Sequence, residues 1–307
     1  MDPLLPNRLE PGDCVRLVSP ASTPERANVE AVVANLERLG LRPEIGRHAF
    51  DRLGYLAGTD ADRLGDINDA LRDPTVRGVI TTRGGKGAYR IADQLDFDAA
   101  RRDPKLLIGF SEITILHLSM LKHVGLVGLH GAAWVAELHG ERSAASFERA
   151  AFASDEITVH SQPSEPTAVL TTSGQASGRL IGGNQDMVAI ANGWTLPPLD
   201  GAILLLEAVN LRLGHIDRQL TMLTNSGAFD HLVGIAVGQY TNCGPDTTTQ
   251  GEWDELDVLR DRLGRLGIPI LGGLPIGHGS NAEAVPIGTL ASIDVEAGTL
   301  SVASAVK

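Results

Sequence analysis

The chain has 307 residues, of which 43% are hydrophobic and 21% are charged, and its formal net charge is -12. This composition is typical of globular proteins and supplies enough apolar surface for one large or two smaller domains. Basic residues form no cluster, which argues against nucleic acid or an anionic membrane surface as a partner.

The two cysteines, Cys14 and Cys243, are far apart in the chain, and neither belongs to a Cys-x-x-Cys pair. A disulfide framework is therefore not predicted. Residues 1–17 lack the basic start and apolar core of a signal peptide. No apolar stretch approaches the ~20 residues needed to cross a bilayer. We expect a cytoplasmic protein.

The first half of the chain alternates short apolar runs with helical periodicity. Strands are predicted over 14–20, 76–85, 105–110 and 126–131, and helices over 25–40, 60–73, 88–96 and 113–125. This alternation predicts an α/β domain over residues 1–150, with a parallel sheet of the Rossmann or flavodoxin type. In such sheets ligands bind at the carboxyl ends of the strands. The turn at 83–87, Ser111 and His130 all follow predicted strands.

The pattern changes after residue 150. Residues 151–178 are rich in Ser, Thr, Pro and Gly and are interpreted as a linker with one or two strands. Residues 179–307 contain shorter, more β-rich segments and a final hairpin, with helices over 214–227 and 253–266. This half is predicted to be a mostly β, mixed domain.

Ser111 lies at the joint between an apolar strand and a helical pattern. Serine is a preferred helix-capping residue, so it is one candidate for a simple N-cap. A nucleophile held on a strand-to-helix elbow is the alternative, although the G-x-S-x-G signature of such elbows is absent. The local sequence leaves both open.

Two later residues complete a possible catalytic set. Glu207 ends the apolar run 202–206, where a buried carboxylate needs a partner, and His278 lies between two glycines in a loop bounded by prolines. A serine needs a base to accept its proton, a histidine supplies that base near neutral pH, and a carboxylate orients the histidine. A solvent-exposed Glu and a surface-turn His remain the alternatives.

The chain resembles the LD-carboxypeptidases, a group of serine peptidases that includes the microcin C self-immunity peptidase. The resemblance rests on motifs that occur in the family's order between Gly12 and Gly288: "RGGKGAYR", "GFSEIT", "GLHG", "GRLIGGN", "LLLEA" with "HIDRQL", and "GLPIGHG" with "VPIG". Each motif alone is weak, whereas six in order are specific.

The resemblance implies that Ser111 is the nucleophile, His278 the base and Glu207 its orienting acid. It also implies an oxyanion hole formed by the backbone N–H groups of Gly85 and Glu112, with the site in a cleft between the two domains. Family members are commonly homodimers and need no metal or cofactor, so we expect the same here. The Glu112 N–H would also lie at a helix N-terminus, which favours negative charge.

The resemblance implies a small peptide or peptide-conjugate substrate, cut by a serine carboxypeptidase through an acyl-enzyme. One candidate is a muropeptide tetrapeptide, cut between L- and D-centres during peptidoglycan recycling. The alternative is an aminoacyl-nucleotide conjugate, as in the immunity branch that confers antibiotic resistance. Lys86, Ala208 and His215 depart from the residues usual in the family, which leaves specificity open.

Three other functions are alternatives to this one. The turn "TTRGGKGAYR" matches neither the P-loop nor the G-x-G-x-x-G pattern, because Arg90 replaces the third glycine. His117 and His123 lack the i, i+4 spacing of an H-E-x-x-H metal hydrolase. A catalytically inactive peptide-binding module is the third alternative, against which the presence of all three triad residue types argues.

Overall fold

The computed structural model describes residues 2–245 and 253–307, and these form two β-sheets flanked by helices. The strands are β1 (Cys14–Val18), β2 (Arg42–Ile45), β3 (Val76–Thr81), β4 (Leu106–Gly109), β5 (Gly128–His130), β6 (Ile157–His160), β7 (Gln175–Asn184), β8 (Ala202–Val209), β9 (Gly234–Thr241), β10 (Ile270–Leu271), β11 (Val285–Ile287), β12 (Leu290–Asp294) and β13 (Thr299–Val302). The helices are α1 (Arg26–Arg38), α2 (Asp60–Arg72), α3 (Phe97–Arg102), α4 (Thr114–Val124), α5 (Ala136–His139), α6 (Glu141–Phe152), α7 (Gln185–Ala191), α8 (Leu213–Asn225) and α9 (Glu255–Leu263).

The first sheet has six strands in the order β11-β5-β4-β3-β1-β2. Its five N-terminal strands are parallel, and the connections between them carry α1 to α4. Strand β11, from the far end of the chain, joins β5 in antiparallel pairing, with Val285 opposite His130. The prediction of an α/β fold built on a parallel sheet is confirmed, and β11 is the addition that it did not include.

The second sheet has seven strands in the order β10-β9-β8-β7-β12-β13-β6. Strands β7 to β10 are parallel to one another, whereas β12, β13 and β6 pair antiparallel. The predicted C-terminal hairpin is β12–β13. Strand β6 and the first residues of β7 lie within 151–178, the segment interpreted as a linker.

Helix α4 packs against elements of both halves of the molecule. It packs against α7 and β7 of the second sheet as well as against α3 of the first half. Nine of its eleven residues are buried, including the polar Thr114, His117 and Ser119. The residue preceding the helix, Ile113, is also fully buried. The start of α4 is therefore fixed between the two sheets.

The helix predicted over 88–96 is wrong. Only a short 3₁₀ turn forms there, over Ala88–Arg90. The next helix, α3, begins after Asp96, whose side chain accepts a hydrogen bond from the backbone N–H of Ala99. An Asp in that role is a strong helix start, so it belongs to the following helix rather than to the end of a preceding one.

Candidate functional site

Ser111 lies two residues beyond the end of β4 and three residues before α4. Its φ angle is 63°, a left-handed conformation that is uncommon for a residue other than glycine. Its hydroxyl caps neither the 3₁₀ turn Ser111–Ile113 nor α4, for which no side-chain capping bond is found in the described residues. The N-cap explanation of this serine is therefore wrong, and a strained strand-to-helix elbow takes its place.

The glycine-rich turn after β3 lies against this elbow. A methyl group built on Gly84 would be 2.9 Å from Ser111 Cβ and 3.0 Å from its Oγ, so the absence of a side chain at this position permits the close approach. Gly85 has φ 110°, and its backbone N–H donates to none of the described protein acceptors. A free N–H group beside a hydroxyl is what an oxyanion hole requires.

The side chain of Glu112 connects the elbow to the turn. Its Oε1 accepts from the backbone N–H of Gly87 at 2.6 Å and of Ala88 at 3.0 Å. Burial raises the pKa of the Glu112 carboxyl, while these two backbone donors act in the opposite direction. Because the carboxylate occupies both N–H groups, they are unavailable to a phosphate, which further argues against a nucleotide-binding turn.

Glu207 and His278 form a hydrogen-bonded pair, with His278 Nδ1 2.7 Å from Glu207 Oε2. Glu207 lies near the end of β8 and is fully buried. The pairing of β8 with β9 shifts register between Leu206 and Ala208, and such bulges often redirect side chains beside active sites. The imidazole is thereby held with Nε2 directed away from Glu207.

A second partner of Glu207 is Asn184, the last residue of the motif "GRLIGGN", for which no role in the site was predicted. Asn184 is the register partner of Glu207 on β7, and its Nδ2 donates to Glu207 Oε1 at 3.1 Å. The backbone N–H of Asn184 donates to Thr114 Oγ1 at 3.0 Å, at the start of α4. Each oxygen of the buried carboxylate thus accepts a hydrogen bond, as a buried charge requires.

The loop that carries His278 is held by close backbone contacts. A side chain at Gly277, whose φ is 138°, would meet Glu207 Oε2 at 3.0 Å. On the other side of the histidine, the backbone N–H of Gly279 donates to Gln239 Oε1 at 2.7 Å. Gln239 was not singled out from the sequence, and its signal, a glutamine in the apolar strand β9, is weak.

Ser111 and His278 line one cavity of about 750 Å³. Its wall also includes the turn residues Gly84 and Gly85, and Phe110, whose ring centroid is 4.8 Å from that of His278. Within the described residues, no hydrogen bond joins Ser111 Oγ to the imidazole. Catalytic hydrogen bonds are often long without substrate. The cavity therefore brings together the predicted nucleophile, base and oxyanion turn.

His130, which follows a predicted strand on the same edge of the sheet as Ser111, is 1% exposed. Neither of its ring nitrogens has a hydrogen-bond partner among the described residues. Its ring meets Phe110 edge-on at 6.0 Å between centroids. Burial lowers the pKa of His130 to about 4, and that of His117 also to about 4. His117 is a packed core residue whose Nε2 lies 2.8 Å from the Gly109 carbonyl.

Three residues depart from the family pattern: Lys86, Ala208 and His215. None of them is part of the described cavity lining.

Among the described residues, His48, Asp51 and Asp62 form a separate group of possible metal ligands. None of these three residues lines the cavity.

The described helices include none with the length and apolar character that a membrane span requires.

Two family models match the chain: the LD-carboxypeptidase N-terminal domain over residues 15–131 and the LD-carboxypeptidase C-terminal domain over residues 177–293. A putative carboxypeptidase of Streptomyces coelicolor is 36% identical, with 96% of this chain and 95% of that protein covered. A probable murein peptide carboxypeptidase of Bacillus subtilis is 34% identical, with 94% and 91% covered.

The fold is also that of the microcin C7 self-immunity protein MccF. The structure of MccF in complex with aspartyl sulfamoyl adenosine matches with a TM-score of 0.87 at 22% identity, over 99% of this chain and 100% of that one. The two domain models together span most of the sequence, with the N-terminal model followed along the chain by the C-terminal model. The chain belongs to the LD-carboxypeptidase family.

Proposed function

We propose that this protein is a serine-type LD-carboxypeptidase that removes the C-terminal residue from a muropeptide tetrapeptide. The observation that carries the proposal is the Glu207–His278 pair, which opens onto the same cavity as Ser111. The relative from Bacillus subtilis is named a probable murein peptide carboxypeptidase, which supports a muropeptide as the substrate.

In the proposed reaction, His278 Nε2 accepts the proton of Ser111 as the serine oxygen attacks the carbonyl carbon of the scissile bond. Glu207 accepts the Nδ1–H hydrogen bond, fixes the tautomer of His278 and stabilises the imidazolium that forms. Asn184 holds the second oxygen of that carboxylate. The oxyanion is stabilised by the backbone N–H groups of Gly85 and Glu112.

His278 then donates its proton to the leaving amine, and the acyl-enzyme remains on Ser111. Water enters, His278 removes its proton, and the hydroxide equivalent attacks the ester. Collapse of the second tetrahedral intermediate returns the proton to Ser111 and releases the shortened peptide. These steps use side chains and backbone groups of this chain alone.

The test is release of D-alanine from a muropeptide tetrapeptide by purified protein, followed by mass spectrometry. We expect turnover that EDTA does not inhibit and that Ser111→Ala lowers by at least about 10³-fold. Ser154→Ala, an exposed serine outside the cavity, is the matched control and should retain activity.

An aminoacyl sulfamoyl adenosine is the second substrate in the same assay. Cleavage of this compound without cleavage of the tetrapeptide would replace the muropeptide proposal with an immunity-type activity. Binding of the tetrapeptide without turnover of either compound would indicate an inactive peptide-binding module. The homodimer and the cytoplasmic location stay predictions, and light scattering of purified protein tests the former.

A further inference from the structure

The charge on the cavity wall comes from one side chain. Among the described residues that line the cavity, Arg83 is the sole member of the Lys, Arg, Asp and Glu group. The remaining polar groups of the wall come from Asn, Ser, Thr, His and Trp side chains. In a chain with a net charge of -12, a cavity whose fixed charge is a single cation is suited to an anionic group of a ligand.

The guanidinium of Arg83 has unused donors. Its Nη1 donates to the Thr23 carbonyl at 3.4 Å, and no ion pair links it to a carboxylate of the described residues. Other arginines of the same half, such as Arg77 and Arg90, each bind an aspartate through two nitrogens. A guanidinium carries five N–H donors, so most of those on Arg83 remain available.

The position of Arg83 in the chain is fixed relative to the reacting groups. It precedes Gly84, which contacts Ser111, and lies two residues before Gly85. Two residues span at most about 7 Å. A C-terminal carboxylate is one residue beyond the scissile carbonyl, so a peptide whose carbonyl oxygen reaches the Gly85 N–H brings its terminal carboxylate to the neighbourhood of Arg83.

We propose that Arg83 binds the free terminal carboxylate of the substrate and thereby selects peptides cut next to their C-terminus; this inference rests on the proposed function. The planar guanidinium matches a carboxylate with two parallel hydrogen bonds, which a lysine cannot reproduce. The contact is to the leaving residue. Arg83 is thus a specificity-determining residue and takes no part in proton transfer.

The test compares two ligands that differ at one group: the tetrapeptide L-Ala-γ-D-Glu-L-Lys-D-Ala as the free acid and as its C-terminal amide. Binding is measured by calorimetry in Ser111→Ala protein, which leaves the ligand intact. Arg83→Gln is expected to weaken binding of the acid by about 10- to 100-fold and binding of the amide by less than about 3-fold. Arg83→Lys should retain part of the preference for the acid.

Arg101→Ala is the matched control, because Arg101 is an exposed arginine that pairs with Asp98 and lies outside the cavity. It should leave both affinities unchanged. Raising the salt concentration should weaken binding of the acid in the parent protein and have little effect in Arg83→Gln.

An equal loss for acid and amide, an unchanged preference in Arg83→Gln, or failure of the acid to bind would overturn the inference. The outcome is separable from that of the proposed function. If wild-type protein releases no D-alanine, the carboxypeptidase proposal fails, while the acid-to-amide ratio in the binding experiment still decides the role of Arg83.

Discussion

Glu112 accepts a hydrogen bond from the backbone N–H of Gly87 at 2.6 Å. This bond links the residue after the candidate nucleophile to the turn that carries half of the candidate oxyanion hole. Since the contact is buried and the same oxygen also binds Ala88, the geometry between the turn and the elbow depends on one carboxylate.

We therefore expect Glu112→Ala to lower kcat by about 10- to 100-fold with a smaller change in KM, because two buried N–H groups lose their acceptor and the turn loosens. Glu112→Gln keeps an acceptor oxygen and should lose less. Steady-state kinetics measure both. A loss confined to KM would indicate a role in binding instead.

Glu207→Gln tests the orienting carboxylate. The amide preserves the shape of the side chain but removes the charge that stabilises the imidazolium and can impose the wrong tautomer on His278, so we expect kcat to fall by about 10³- to 10⁴-fold. Glu44→Gln is the control. Glu44 is an exposed glutamate on β2, the edge strand opposite β11, and it pairs with Arg16. Near-normal turnover in Glu207→Gln would contradict the proposed triad.

Gly84→Ala places a methyl group within 3.0 Å of Ser111 Oγ. The φ angle of Gly84 is outside the left-handed region, so the effect comes from crowding of the nucleophile. We expect kcat to fall at least about 10-fold, since small displacements of a reacting group are costly.

Gly65→Ala is the matched control for that change. Gly65 lies in α2, and its added methyl meets nothing within 4 Å. It should raise stability by about 0.5–1 kcal/mol and leave activity unchanged. Equal activity in Gly84→Ala and Gly65→Ala would show that the turn does not constrain Ser111.

Acid should destabilise the fold through its buried histidines. The pKa of His130 is about 4 in the folded protein, against a reference value of 6.5, so the unfolded chain binds more protons between these values. Stability is therefore full above pH 6.5 and falls as the pH decreases towards 4, by about 2 kcal/mol for this histidine at pH 5.

Urea unfolding of wild type and His130→Phe at pH 7.5 and pH 5.0 measures this contribution. The phenylalanine does not titrate and keeps a ring against Phe110, so its loss of stability on acidification should be smaller. The same dependence on pH in both proteins would show that His130 binds a proton equally well in the folded and unfolded states.

The sequence was sufficient to place Ser111, Gly85 and His130 near one another, because they follow adjacent parallel strands whose carboxyl ends share one edge of a sheet. It did not locate Asn184, whose contact with Glu207 arises from the register of β7 against β8. Register depends on tertiary pairing, which a glycine-rich string does not reveal.

The direction of the side chains was the second feature of the site that the sequence did not predict. The family resemblance implies a role for the backbone N–H of Glu112, whereas the carboxylate of this residue points into the protein towards the turn. The sequence shows Arg83 only as part of the turn, because an unpaired guanidinium can be identified only after the positions of the carboxylates are known.

The pairing of β11 with β5 ties the two halves of the molecule through main-chain hydrogen bonds. A fragment ending at residue 150 would leave β5 as an uncovered edge strand, ready to pair with another chain. We therefore expect an N-terminal fragment that ends at residue 150 to aggregate. A version of the protein split at this point would need residues 285–287 supplied in trans to cover β5.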